Sequence, residues 1–236
     1  MSEYFSSGLD LLLAELKRIE LKLQLQVASM RQDDSRMGED KFRGLYISEK
    51  QIDAIIGASR LRSRDSSFRP ENSASGALTS SLKQLEADIA ARKKESRRQG
   101  LMLRLSELER LFHLSMFDID TILVCLLPEL DLEYQRLYAY LQDDVTKKSP
   151  TVNLILQLLC ESLADMLKAR EAFSPEAPLV KYHLLRLYDD HPSRPTPLLA
   201  KFLQLDEHIA SYLLETDQID SRLLPLTRLV YPKLNL

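Results

Sequence analysis

Glycine is scarce in this sequence, with six residues in 236. Tight hairpin turns draw on glycine, so the scarcity favours helices over a tight-turned sheet. It also removes a chemistry. A phosphate-binding loop, G-x-x-x-x-G-K-[ST], needs glycines where backbone amides close on phosphate. Gly8, Gly38, Gly44, Gly57, Gly76 and Gly100 fall nowhere in that pattern, so this stretch is expected not to hydrolyse nucleotides. Histidine is sparser still. His113, His183, His191 and His208 have no Cys or His partner at metal spacing, which argues against a zinc site. The two cysteines, Cys125 and Cys160, lie in apolar helical contexts. They read as buried free thiols in a reducing, cytoplasmic compartment. No apolar run approaches the ~18 residues of a membrane span. The first residues, MSEYFSSGLDLLLAELKR, are acidic ahead of their apolar part, which is wrong for a secretory signal.

Acid–base chemistry has little to stand on either. The carboxylate pairs Asp143-Asp144, Asp189-Asp190 and Glu129 with Asp131 sit beside proline or at expected helix ends. Caps and solvated turns account for them.

What is present is leucine at helical spacing. Leu9, Leu12, Leu13, Leu16, Ile19, Leu23 and Val27 form one stripe over residues 7–30, with Glu15, Arg18 and Glu20 expected outside it. Ser48 and Gln51 form a capping box for a second helix, with Ile52, Ile55 and Ile56 inward. Residues 57–77 lose all period and read as a linker. Residues 78–99 are helical again and end in RKKESRR. Residues 58–99 carry 10 Lys or Arg against 5 Asp or Glu. The run Arg92, Lys93, Lys94, Arg97 and Arg98 could make weak phosphate contacts, although such a run is usually a solvated face at the negative end of its helix.

Residues 106–160 read as four short helices in tandem. Ser106 with Glu109 and Ser115 with Asp118 look like capping boxes, Asp131 like a cap, and Ser149-Pro150 like a cap followed by a first-turn proline. Leu130, Tyr134, Leu137 and Leu141 share one face. Farther on, APLVKYHLLRLYDD and TPLLAKFLQLD show local alternation about the proline-rich DHPSRPTP. They read as two antiparallel strands, after which Asp206 caps a closing helix. Helices followed by a strand pair is the order of a winged helix. The predicted fold is therefore mainly α: a helical segment over 1–56, a linker and basic helix over 57–99, a winged-helix-like domain with a small β-hairpin over 100–216 that folds on its own, and a tail over 217–236. The segment TVNLILQLLCESL occupies the expected recognition-helix position and contains no Lys or Arg. Residues 100–236 hold 14 basic against 20 acidic residues, which argues against DNA as the partner.

The stretch from about Leu105 to Leu214 resembles the N-terminal region of a family of prokaryotic AAA+ ATPases, often encoded beside contractile injection systems. The resemblance is carried by LERLFHLSMFDIDTILVCLLPELDLEYQRLYAYLQDDVTKKSPTVNL, FSPEAPLVKYHLLRL and PLLAKFLQLDEHIASYLL, and the pieces LDLLLAELKRIELKLQLQV and FRGLYISEKQIDAII look like that family's leading helices. It implies a non-catalytic, winged-helix-like region ahead of an ATPase module that would follow Leu236. ATP and Mg would belong to that module, and homo-oligomers would form through it. This segment would need no catalytic residue, metal or cofactor of its own. The implied partners are proteins, a client and the chain's own ATPase module, with no membrane. The rivals are a DNA-binding winged helix and a stand-alone helical adaptor.

Leu137→Asp tests the face assigned to the third tandem helix. A carboxylate buried there without a partner should cost about 3 kcal/mol or more. A thermal melt within a degree or two of the parent would show that the face is exposed.

Overall fold

The computed structural model describes residues 3–37, 49–58, 74–190 and 195–216. Its first long element, α1 (Gly8–Met37), starts where Ser7 and Asp10 exchange hydrogen bonds at 3.1 Å. Leu12, Leu16, Ile19, Leu23 and Val27 of the predicted stripe are buried. Leu9 and Leu13 are exposed, while Glu15, Arg18 and Glu20, expected outside, are buried. The reason is that α1 is covered from several sides. It packs against α3 (Ala74–Arg98), α4 (Arg104–Phe112), α5 (Met116–Leu130) and α7 (Val152–Leu159), so a face chosen for water in an isolated helix has become interior.

The charges taken inside are paired. Arg18 is 1% exposed. Its Nε donates to Glu15 at 2.7 Å, and its guanidinium grips the Asp120 carboxylate of α5, with Nη1 donating at 3.1 Å. Lys22 Nζ reaches the same carboxylate at 2.8 Å. Between Arg18 and Lys22 on α1, Glu20 accepts from the Tyr134 hydroxyl. The acids beside Arg18 hold its pKa above the ordinary value, against burial, which alone would lower it.

The basic helix α3 lies along α1. Buried Ser96 accepts from the Phe5 amide at 2.8 Å, and the Arg92 guanidinium sits 4.0 Å above the Phe5 ring. One apolar core extends from Phe5 and α1 through Ile89 to Leu213. The divisions drawn at residues 56 and 99 mark changes of sequence texture, and the packing runs across them. The expected independent unit over 100–216 shares its core with α1. The expected linker lies outside the described residues except for its first two residues, which belong to α2 (Glu49–Ala58), and its last four, which belong to α3. The tail over 217–236 and the Ser48 cap lie outside them altogether.

The tandem helices are present. Ser115 and Asp118 form the expected reciprocal capping box at the start of α5. Asp131 accepts from the Glu133 amide at 3.0 Å and opens α6 (Glu133–Leu141). Two caps differ from expectation. α4 begins at Arg104, so Ser106 falls inside its first turn, and its buried hydroxyl has no partner. α7 is capped by Thr151, whose hydroxyl accepts from the Leu154 amide, and not by Ser149. Gln142 makes the difference. Its amide nitrogen donates to the Lys147 and Ser149 carbonyls at 3.0 Å, and its oxygen accepts from the Thr151 hydroxyl at 2.7 Å. The loop is thereby tied so that Thr151, and not Ser149, meets the helix.

Pro128 lies within α5 and has no amide hydrogen, so the Val124 carbonyl loses its helical donor. The buried Tyr138 hydroxyl supplies one at 2.7 Å. Leu137 is buried with Tyr134, Tyr138 and Leu141, as its spacing predicted. A short helix α2 (Glu49–Ala58) packs on α6 with Ile52 buried.

Beyond α7 come α8 (Leu163–Ala169), the 3-10 turn Arg170–Phe173, α9 (Pro178–Lys181), β1 (Leu185–Tyr188), the 3-10 turn Leu198–Ala200, β2 (Phe202–Leu205) and α10 (Glu207–Leu213). The strands pair antiparallel, with Leu185 opposite Leu205 and Tyr188 opposite Phe202. The fold is mainly helical with one small hairpin. The segment APLVKYH, expected to be extended, is instead the helical turn α9, because Pro178 fits a first helical position and starts it.

Asp120→Asn should cost about 3 kcal/mol, because it leaves Arg18 and Lys22 in the interior with one carboxylate fewer. Urea unfolding measures it, with Glu133→Gln, in an exposed pair with Arg136, expected within about 0.5 kcal/mol of the parent. Equal midpoints for the two variants would show that the buried cluster does not clamp α1.

Candidate functional site

Thr151, just ahead of α7, bridges antiparallel to Phe202. The Val152 amide donates to Lys201 at 3.0 Å and the Leu203 amide to Pro150 at 2.9 Å. This makes the start of α7 a third, minimal strand beside the hairpin. Helix α7 is then the first helix of a helix-turn-helix, and α8 with α9 leads into the wing. The recognition position was expected at TVNLILQLLCESL. That segment holds α7, whose Val152, Leu154, Ile155 and Leu156 are in the core, which leaves Gln157 as the one exposed side chain of the helix. The segment that occupies the position is α8 to α9.

The chemistry of that segment is mixed. Residues 161–181 carry Glu161, Asp165, Glu171 and Glu176 against Lys168, Arg170 and Lys181. Ser162 caps α8, its hydroxyl accepting from the Asp165 amide at 3.1 Å. Leu163 and Leu167, one turn apart, are 71% and 59% exposed. The outward positions of the wing are Arg186 and Gln204, which lie opposite each other. Tyr188 stacks on Phe202 with ring centres 5.4 Å apart.

A cleft of about 510 Å³ opens between the start of α5 and α8–α9. Phe117, Leu159, Ala169, Ala172 and Pro178 supply its apolar lining, and Asp118, Asp165, Lys168 and Glu171 its charges. Asp118 is 6% exposed. One of its oxygens accepts from the Ser115 amide and hydroxyl at 2.8 and 2.7 Å, while the other is buried with no hydrogen bond. Cys160 lies in the same cleft, half-buried, and burial raises its thiol pKa. Cys125 is wholly interior, and burial pushes its thiol up much further. Sequence reasoning took Asp118 as a cap acid and passed over Leu163 and Leu167. The available signal was two leucines four residues apart in a helix whose other residues, Met166 apart, are short or charged.

The five basic residues singled out on α3 share one helix but not one role. Arg92 is engaged by the Phe5 ring, by Asp88 at 3.6 Å and by the Tyr4 carbonyl at 3.4 Å. Lys93 pairs with Glu109 at 2.7 Å, and Arg98 with Glu95 at 3.4 Å. Lys94 and Arg97 are exposed at the mouth of a smaller groove, of about 370 Å³, that also takes in Glu15, Glu86 and Glu109. Among the described residues no group of three or more His, Cys, Asp or Glu could hold a metal ion, and no helix is long and apolar enough to cross a membrane.

Residues 1–227 match the family model described as winged helix domain, variant, and the chain belongs to that family. No curated protein and no solved structure matches it. The match begins at residue 1, in keeping with a fold in which α1 is part of the same core as the hairpin.

At the base of the wing, Asp189 accepts from the Thr196 hydroxyl and amide and from Lys201 Nζ at 3.1 Å. These bonds, the Thr196 hydroxyl first, hold its pKa down to about 2 from an ordinary 3.8. A depressed carboxylate stabilises the fold fully above its ordinary value and ceases to do so as pH falls through the folded one. The hairpin should therefore keep its closure at pH 5 and loosen below about pH 3, followed by NMR of the Thr196 amide. Asp189→Asn should remove that pH dependence. An Asp189 titration near 4 would show that the three bonds do not form.

Proposed function

We propose that this chain is the non-catalytic N-terminal region of an AAA+-type ATPase and that its winged helix docks proteins. The observation that carries the reading is the character of α8 to α9. A winged helix that reads DNA needs cations there, since phosphate contact dominates affinity. This segment has no excess of cations, three against three carboxylates, and Leu163 and Leu167 are held out to solvent. Exposed leucines one turn apart suit a protein surface and gain nothing from a phosphate backbone. The ATPase association rests on the resemblance of Leu105 to Leu214, and of α1, to the region that precedes such modules. ATP and Mg belong, in this reading, to that module, as does assembly into homo-oligomers. Contractile injection systems are the expected setting, and the client is a protein.

Two measurements test this. Residues 1–236 should turn over no ATP and should bind duplex DNA without sequence preference and only weakly at physiological salt, through Lys94 and Arg97. Fluorescence anisotropy reads the second. Sequence-dependent, submicromolar binding that survives neutralising Arg92, Lys93, Lys94, Arg97 and Arg98 would overturn the reading in favour of a DNA-binding winged helix. The reading frame beyond Leu236 tests the ATPase association, and a frame without ATPase motifs would favour a stand-alone adaptor.

A further inference from the structure

The cleft between the start of α5 and α8–α9 combines two features that point to one kind of ligand. Its lining is apolar, through Phe117, Leu159, Ala172 and Pro178, and its charges are three carboxylates against one lysine. The carboxylates differ in kind. Asp165 has one oxygen engaged by the Ser162 hydroxyl at 2.6 Å. Glu171 is exposed at the edge, and among the described residues no hydrogen bond or ion pair engages its side chain. Asp118 is the informative one, a residue 94% withdrawn from solvent that lines the cleft and has one oxygen buried without a partner. A buried acceptor left open costs about 1–3 kcal/mol, more when charged. A cation held in the cleft would lower that cost through its charge.

We propose that this cleft receives a basic amphipathic segment of a partner protein, a helix or turn that sets leucine-like side chains on the apolar lining and a Lys or Arg against Asp118 and Glu171. The proposal rests on the protein-docking reading above and gives it a ligand class. Anionic partners are disfavoured at this site by the three carboxylates, which repel phosphate. A wholly apolar partner would fill the lining and leave the Asp118 oxygen open. The basic segment satisfies both, with the charge setting register and the apolar contact supplying most of the affinity. Lys168 marks the side of the cleft from which the incoming cation is turned away.

The test uses the full chain and three labelled peptides of about 15 residues, long enough for a helix to form on contact. They share one leucine face and differ on the polar face, carrying Lys and Arg, Gln, or Glu. Anisotropy at physiological salt should show binding of the basic peptide alone. Glu171→Arg, at a surface position outside every cap, should weaken it about tenfold by exchanging attraction for repulsion. Asp118→Asn should weaken it too, with the melting temperature reporting any loss of the α5 cap. Bound peptide should slow alkylation of Cys160, while interior Cys125 stays unreactive in both states. Equal binding of the Gln peptide, or unchanged affinity in Glu171→Arg, would overturn the basic-segment proposal. So would unprotected Cys160 with every peptide. The duplex titration judges the docking reading separately. A Gln peptide that protects Cys160 would leave that reading standing without its ligand class. Sequence-specific duplex binding would remove both.

Discussion

The ion cluster of Arg18, Glu15, Lys22 and Asp120 is the constraint on which the rest of this structure depends. A guanidinium 1% exposed is tolerable only with its charge and donors met. Two carboxylates meet them, one from its own helix and one from α5. That requirement fixes α1 against α5 in both rotation and height, since a turn's slip would strand Arg18 among leucines. Leu12, Leu16 and Ile19 then fill the space on either side. Such pairs add little net stability over a well-packed apolar substitute, but breaking one is costly. Here the cluster selects one arrangement of a long leucine-rich helix that could otherwise settle in several registers.

A second constraint, smaller in scale, places the wing. Gln142 ties the 142–151 loop so that Thr151 both caps α7 and bridges to Phe202. The hairpin therefore rests on the helical layer through backbone bonds as well as through Leu185, Leu203 and Leu205. A two-stranded hairpin is marginal by itself; this one gains a third pairing and an apolar floor. Tyr138 plays a similar part for α5, donating to the carbonyl that Pro128 leaves open and letting the helix run on for another turn.

These anchors leave unmet interactions at the start of α5 and on α8. Leu163 and Leu167 are out in solvent, and the Asp118 oxygen is buried without a donor. On α3, by contrast, three of the five basic side chains are already engaged by the protein itself. A basic run in a sequence counts charges. In the fold, what matters is how many of them remain unspent.

Local signals determined a good part of this protein. The scarcity of glycine, the leucine periodicity, the Ser115–Asp118 box, the Asp206 cap and the alternation about Leu185 and Leu203 were enough for a mainly helical fold closed by a small hairpin. Each acts within one or two turns of chain, which is why the sequence alone carries it. Tertiary structure decided the rest. Glu15, Arg18 and Glu20 read as solvent-facing because periodicity assumes one buried face per helix, and only the packing of α3 and α5 shows that α1 has more. Ser149 gave way to Thr151 because Gln142 reaches across nine residues. The recognition position moved from α7 to α8–α9 because burial, which no window of sequence reports, had already claimed the face of α7.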